Sequence, residues 1–169
     1  MNSLHSTAAC RSMAALRVPF TRARPPIHCG GGLISEETST ADLRALREAD
    51  LHRALARVAA ADRRVRVGRY TLVEPGGDPA DRLAETHALV RRHGWQAPIT
   101  TFDSTGMTDP AIRPQIARLY GAICRKEIDG IVAVSQTDIS AFRSIYGDTL
   151  AAIRARGSFL ALVRSETTL

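Results

Sequence analysis

Ile131, Val132, Ala133 and Val134 form a continuous apolar run, opened by Asp129-Gly130 and closed by Ser135-Gln136-Thr137-Asp138. The run is too short for a helix and rich in β-branched residues, so it predicts a strand buried on both faces. Such a strand sits centrally in an α/β domain, and chemistry gathers at its carboxyl end. Residues Ser135 to Arg143 are therefore where function is expected to be written.

The flanking segments repeat a strand-then-helix rhythm. Val65 to Val73 reads as a strand, broken at Glu74-Pro75-Gly76-Gly77. Asp78 is a suitable N-cap, with Pro79 at the first helical position and a helix running to about His93, where Gly94 stops it. Pro98 to Phe102 predicts a second short strand. Pro110 and Pro114 frame the start of a helix with Ile112, Ile116, Leu119 and Ile123 on one stripe. After the central strand, a helix from about Phe142 to Arg156 turns Phe142, Tyr146, Leu150 and Ile153 inward and ends at Gly157. Ser158 to Val163 is the last strand. The pattern predicts an α/β fold: an open, mostly parallel β-sheet with helices on both faces.

Before this rhythm, residues 39–64 predict an amphipathic helix capped by Thr40, with Leu43, Leu46, Leu51, Leu55 and Val58 on one side and Arg44, Glu48, Arg53 and Arg57 on the other. Its expected role is to pack on the following domain; self-association through the leucine stripe is the rival. Residues 1–38 are arginine-containing, have no acid before Glu36, and carry Pro25-Pro26 and Gly30-Gly31-Gly32. A transit-peptide leader has this composition, but without helical periodicity a disordered N-terminal extension is the expectation. Residues 65–169 are expected to form the α/β domain.

A chain of 169 residues suits one domain. Its 23 Lys and Arg against 17 Asp and Glu give +6, and Lys126 is the sole lysine. Either an affinity for phosphate backbones or a compositional bias accounts for this excess. Three scattered cysteines and five histidines form no CxxC, HExxH or zinc-finger spacing, so neither a disulfide framework nor a metal site is expected. No apolar run approaches the roughly 18–20 residues of a membrane span. A soluble, cytoplasmic protein with no cofactor is the expectation.

Three loops follow strand ends. Residues 74 to 78 offer glycines but no phosphate-loop motif, and Glu74 and Asp78 would repel a phosphate. The loops at 103 to 110 and 135 to 141 carry hydroxyls and acids without a neighbouring His or Lys to serve as base, which favours capping and turn roles.

Residues 69 to 166 resemble the catalytic domain of serine recombinases, the resolvase and invertase family. The resemblance rests on Tyr70 in the first strand, His93-Gly94-Trp95, Phe102-Asp103 followed by Arg113-Pro114, and above all Glu127-Ile128-Asp129-Gly130-Ile131-Val132, like that family's "iDgivv" strand. It implies a resolvase-like sheet and a family activity of serine-type DNA strand exchange. The family's nucleophilic serine position falls on Glu74 and a first-strand arginine on Leu72. Counted without gaps, its Asp-Arg-Leu-x-Arg falls on Thr137, Asp138, Ile139, Ser140 and Ala141. Shifted by one, Asp138 matches the aspartate while Ile139 and Phe142 replace the arginines. Asp129 and Arg113 are retained polar positions, with Arg113 and Arg143 as candidate phosphate contacts. The resemblance therefore implies a catalytically degenerate DNA- or protein-binding module, with weak nonspecific DNA binding and homo-oligomerisation as expected associations. Repurposed phosphodiester chemistry through Arg113, Arg143 and Ser135 or Ser140, a structural interaction protein, and an unrelated metabolite-binding domain are the rivals.

Overall fold

The structure is a computed structural model and describes residues 39–166. The expected 1–38 extension lies outside the described residues.

Four strands form one parallel sheet: β1 (Arg66–Leu72), β2 (Gln96–Asp103), β3 (Gly130–Ala133) and β4 (Phe159–Leu162), in the order β2-β1-β3-β4. Helices α1 (Thr40–Ala60), α2 (Ala80–Arg92), α3 (Pro114–Cys124), α4 (Gln136–Ile139) and α5 (Arg143–Ala155) provide the connections and cover. Every residue of β3 is buried, as a central parallel strand requires. Alternation along the strands divides the core into two layers. Val67, Val132, Phe159 and Ala161 pack with Ala54 of α1 and Val90 of α2. Tyr70, Leu72, Ile131, Ala133 and Leu160 pack on the other face with Ile116, Leu119 and Ile123 of α3 and Leu150 and Ile153 of α5. The α/β architecture with helices on both faces is the one anticipated.

Several local expectations are corrected. Ser39, not Thr40, caps α1: its hydroxyl accepts the Asp42 amide at 3.1 Å, and the Asp42 carboxylate accepts the Ser39 amide at 3.1 Å. The buried residues of α1 are Leu43, Arg47, Asp50, Ala54 and Val58, with Leu51 and Leu55 partly buried against the core, so the expected stripe packs inward but shares that side with two charged residues. Arg47 meets Glu166 in a bidentate pair at 2.6 and 3.0 Å, and the Tyr146 hydroxyl donates to Glu166 at 2.7 Å. This buried triad fastens α1 to α5 and to the segment after β4.

Helix α2 starts at Ala80 rather than Pro79, although Asp78 still accepts the Ala80 amide at 2.9 Å. Strand β2 is longer than expected. Ile112 lies in a separate 3-10 turn (Pro110–Ile112) and is 70% exposed, because Pro114 begins α3. Phe142 is 66% exposed instead of inward, standing just before α5, whereas Tyr146, Leu150 and Ile153 are buried as expected. Gly94 and Gly157 follow α2 and α5 with φ of 66° and 69°, the left-handed conformation that ends a helix.

Candidate functional site

The connections of β1 and β3 leave toward opposite faces: α2 packs with the Val67 layer and α5 with the Tyr70 layer. A crevice opens where such connections part, at the carboxyl ends of the two strands. A cavity of about 420 Å³ lies there, lined by Leu72 and Glu74 after β1, Arg82 on α2, Met107 after β2, and Thr137 and Asp138 on α4.

Asp138 is its central buried acid. Its carboxylate accepts the Val134 amide at 2.9 Å and the Ser135 amide at 3.3 Å, and it pairs with Arg82. Burial nonetheless dominates over the Arg82 charge and these hydrogen bonds, and holds the Asp138 carboxyl above its ordinary value. Arg82 also donates to the Thr71 hydroxyl at 2.9 Å, so its guanidinium is shared between β1 and α4. Sequence reading passed over Arg82. Its signal was an arginine in the first turn after a strand end, but the acid it pairs with is 56 residues away.

Arg113 is only 1% exposed. It donates to the Asp138 carbonyl at 2.7 Å, the Ile139 carbonyl at 3.1 Å and the Thr108 carbonyl. Its guanidinium is thus spent on the backbone of α4 and of the loop after β2. Behind it, the Tyr70 hydroxyl donates to Asp103 at 3.1 Å, and Asp103 accepts the Gln115 and Ile116 amides at 3.1 and 3.2 Å, capping α3. Burial pushes the Tyr70 hydroxyl well above its ordinary value, so it stays protonated.

Of the other residues singled out from sequence, Leu72 is buried in the cavity wall and Glu74 is exposed, its carboxylate lying over Gly106 of the facing loop. Thr137 is exposed, and its hydroxyl meets that of Ser135 at 2.8 Å. Ser140 is buried and accepts the Phe142 amide at 3.1 Å. Ala141 is exposed. None of these hydroxyls is hydrogen-bonded to a His, Lys or Arg side chain among the described residues. Arg143 is exposed at the start of α5 and does not line the cavity. Asp129 stands at the opposite end of the sheet, before β3, where it accepts Arg63 at 2.7 and 2.8 Å and the Arg66 amide at 2.9 Å. The structure therefore brings Leu72, Glu74, Thr137 and Asp138 together and leaves Asp129 apart. Among the described residues no cluster of three or more His, Cys, Asp or Glu could hold a metal, and no helix is long and apolar enough to cross a membrane.

A second cavity of about 330 Å³ lies between the 3-10 turn, α3 and α5. The Tyr120 hydroxyl is buried there with no hydrogen-bond partner among the described residues, and burial pushes it up to about 12.

The sheet order, the two-faced helical cover and the crevice define a resolvase-like catalytic-domain fold. The similarity is to serine recombinase catalytic domains. Against the C-terminal catalytic domain of ISC1926 TnpA, an IS607-like serine recombinase, the TM-score is 0.55 at 12% identity, over 62% of this chain and 71% of that one. Against the N-terminal catalytic domain of TP901-1 integrase it is 0.52 at 22% identity, over 59% and 78%. No protein-family profile and no curated protein matches the sequence.

Proposed function

We propose that the chain is a noncatalytic module built on the serine-recombinase catalytic fold, and that it works by binding, with DNA as the first partner to test. One observation carries this reading: the crevice holds Glu74 and Asp138 against the single charge of Arg82, with Arg113 turned into backbone carbonyls. Phosphoryl transfer needs an activated nucleophile, and cationic donors aimed where negative charge develops. Here Leu72 and Glu74 stand at the family's arginine and serine positions, and Arg82, the one arginine lining the cleft among the described residues, is paired with Asp138.

The test is incubation of the purified chain with supercoiled and linear duplex DNA, denaturing quench, and a search for nicks and protein-linked strands. Uncut DNA with reversible binding is expected. A covalent adduct, lost in Ser135→Ala or Ser140→Ala, would overturn the proposal in favour of repurposed chemistry.

A protein partner is the second reading, favoured by four exposed large apolar side chains among the described residues: Phe102 near the end of β2, Met107 and Ile112 on the connection that follows it, and Phe142 on the connection after β3. Homo-oligomerisation through this edge predicts a solution mass that rises with concentration and falls back in Ile112→Ser/Phe142→Ser. A strict monomer across the range removes that partner.

A further inference from the structure

The charges of this domain are sorted by the sheet's direction. In a parallel sheet each connecting helix delivers its carboxyl end to the amino edge of the next strand, so the C-termini of α1, α2, α3 and α5 gather on one edge. That edge, comprising residues 57–66, 91–92, 125–129 and 154–156, holds ten basic side chains against Asp62, Glu127 and Asp129. Residues 39–166 as a whole hold 19 basic and 15 acidic side chains. The amino edge therefore has a surplus of seven, and the rest of the domain is acidic on balance.

Helix dipoles account for part of this sorting, because cations are favoured at helix C-termini. Arg57 donates to the Gly157 carbonyl, Arg66 to the Lys126 carbonyl at 2.8 Å, and Lys126 to the Arg156 carbonyl at 2.6 Å. Arg63 and Arg125 pair with Asp129 and Glu127, and Arg156 donates to the Ala152 carbonyl at 2.9 Å and the Cys124 sulfur at 3.0 Å. Four arginines are left over. Arg64, Arg91, Arg92 and Arg154 are exposed and make no side-chain hydrogen bond or ion pair among the described residues.

They also span the sheet: Arg91 and Arg92 lie before β2, Arg64 before β1 and Arg154 before β4. Four strands at their usual spacing cover about 14 Å, a length over which a duplex strand presents about four phosphates. Beside β4 the edge is recessed into a cavity of about 350 Å³ lined by Arg57, Arg154 and the Arg53–Asp50 ion pair. Beside β2 the exposed His93 ring stacks on Trp95 at 4.5 Å.

Resting on the reading of the chain as a binding module, we infer that it docks nucleic-acid duplex through this amino edge, on the side opposite the crevice. Guanidinium groups match phosphate geometry better than ammonium groups do, and all four unpaired cations are arginines. An anionic lipid surface is disfavoured, because the exposed large apolar side chains that would enter it stand at the carboxyl edge.

The experiment follows anisotropy of a labelled random duplex with the full chain across a salt series. The variant Arg64→Gln/Arg91→Gln/Arg92→Gln/Arg154→Gln is compared with Arg44→Gln/Arg118→Gln/Arg143→Gln/Arg164→Gln, which removes equal charge elsewhere. Thermal melts check that both fold. The amino-edge variant is expected to flatten the slope of log K against log salt by about 3 to 4, since each phosphate that is no longer neutralised takes about 0.9 from it, while the second set changes it by less than about 1. Equal losses in both sets, or a larger loss in the second, overturn the location and leave the binding reading standing. No binding by the unmodified chain at the lowest salt overturns both. Sedimentation of that non-binding chain with phosphatidylserine vesicles would reassign the edge to lipid.

Discussion

Replacing Arg47 by methionine tests the buried triad most directly. The side chains of Arg47 and Glu166 are 6% and 0% exposed, so solvent does little to screen either charge. Arg47→Met leaves the Glu166 carboxylate buried, with the Tyr146 hydroxyl as its remaining side-chain donor among the described residues. Removing one partner of a buried pair costs about 3–5 kcal/mol, whereas removing both charges costs far less. Arg47→Met/Glu166→Gln should therefore recover most of the loss, and the two single costs should not add.

The pH dependence fixes the sign. Burial raises the Glu166 carboxyl, but its bonds to Arg47 and Tyr146 outweigh that and hold it below its ordinary 4.5. A depressed carboxylate contributes stability that is present above its unfolded value and lost as pH falls through its folded one. In Arg47→Met the raising influence of burial is no longer opposed by the guanidinium. The variant's deficit should be full near neutrality and shrink in acid. Urea denaturation at several pH values, compared at constant m, reads this out. A neutral-pH cost below about 1 kcal/mol, the value typical of an exposed pair, would refute the reasoning, as would additive single costs.

At the centre of the sheet, a Cβ on Gly130 would stand 2.6 Å from the Phe159 carbonyl oxygen and 2.7 Å from its ring. Gly130→Ala should cost about 1–3 kcal/mol in thermal unfolding, and a neutral result would show that β3 and β4 separate more easily than their register implies. The raised Asp138 carboxyl predicts the opposite slope to Glu166. Its protonated form is favoured in the fold, so its contribution is fully present below the unfolded value of 3.8 and diminishes as pH rises through the folded one. Asp138→Asn should remove that decline, and parallel stability–pH curves for wild type and variant would count against it.

The central strand was legible because Ile131 to Val134 needs no distant information: a short β-branched run between turn residues has few alternatives. The same holds for the stripe of Ile116, Leu119 and Ile123, but extending it back to Ile112 ignored that Pro114 excludes a helical residue before it. On α1 the leucines marked the packed side, with Leu43 and Val58 buried and Leu51 and Leu55 against the core, but Arg47 on that side was not legible, because its burial depends on Glu166, 119 residues away. The crevice's location at the strand ends was legible, and Leu72, Glu74, Thr137 and Asp138 all line it. Arg82 was not, since an ion pair between separate crossovers leaves no local pattern. Asp129 matched by motif yet lies at the far end of the sheet, because a motif reports order along the chain and not which edge a residue reaches.

The guanidinium of Arg113 has a mechanical consequence. It holds Thr108 on the loop after β2 and Asp138 and Ile139 of α4. Moving either segment alone would strand a buried cation, so the two form one wall whose halves are stapled from inside. The wall that faces α2 across the crevice is therefore tied together by a residue that does not itself line the cavity.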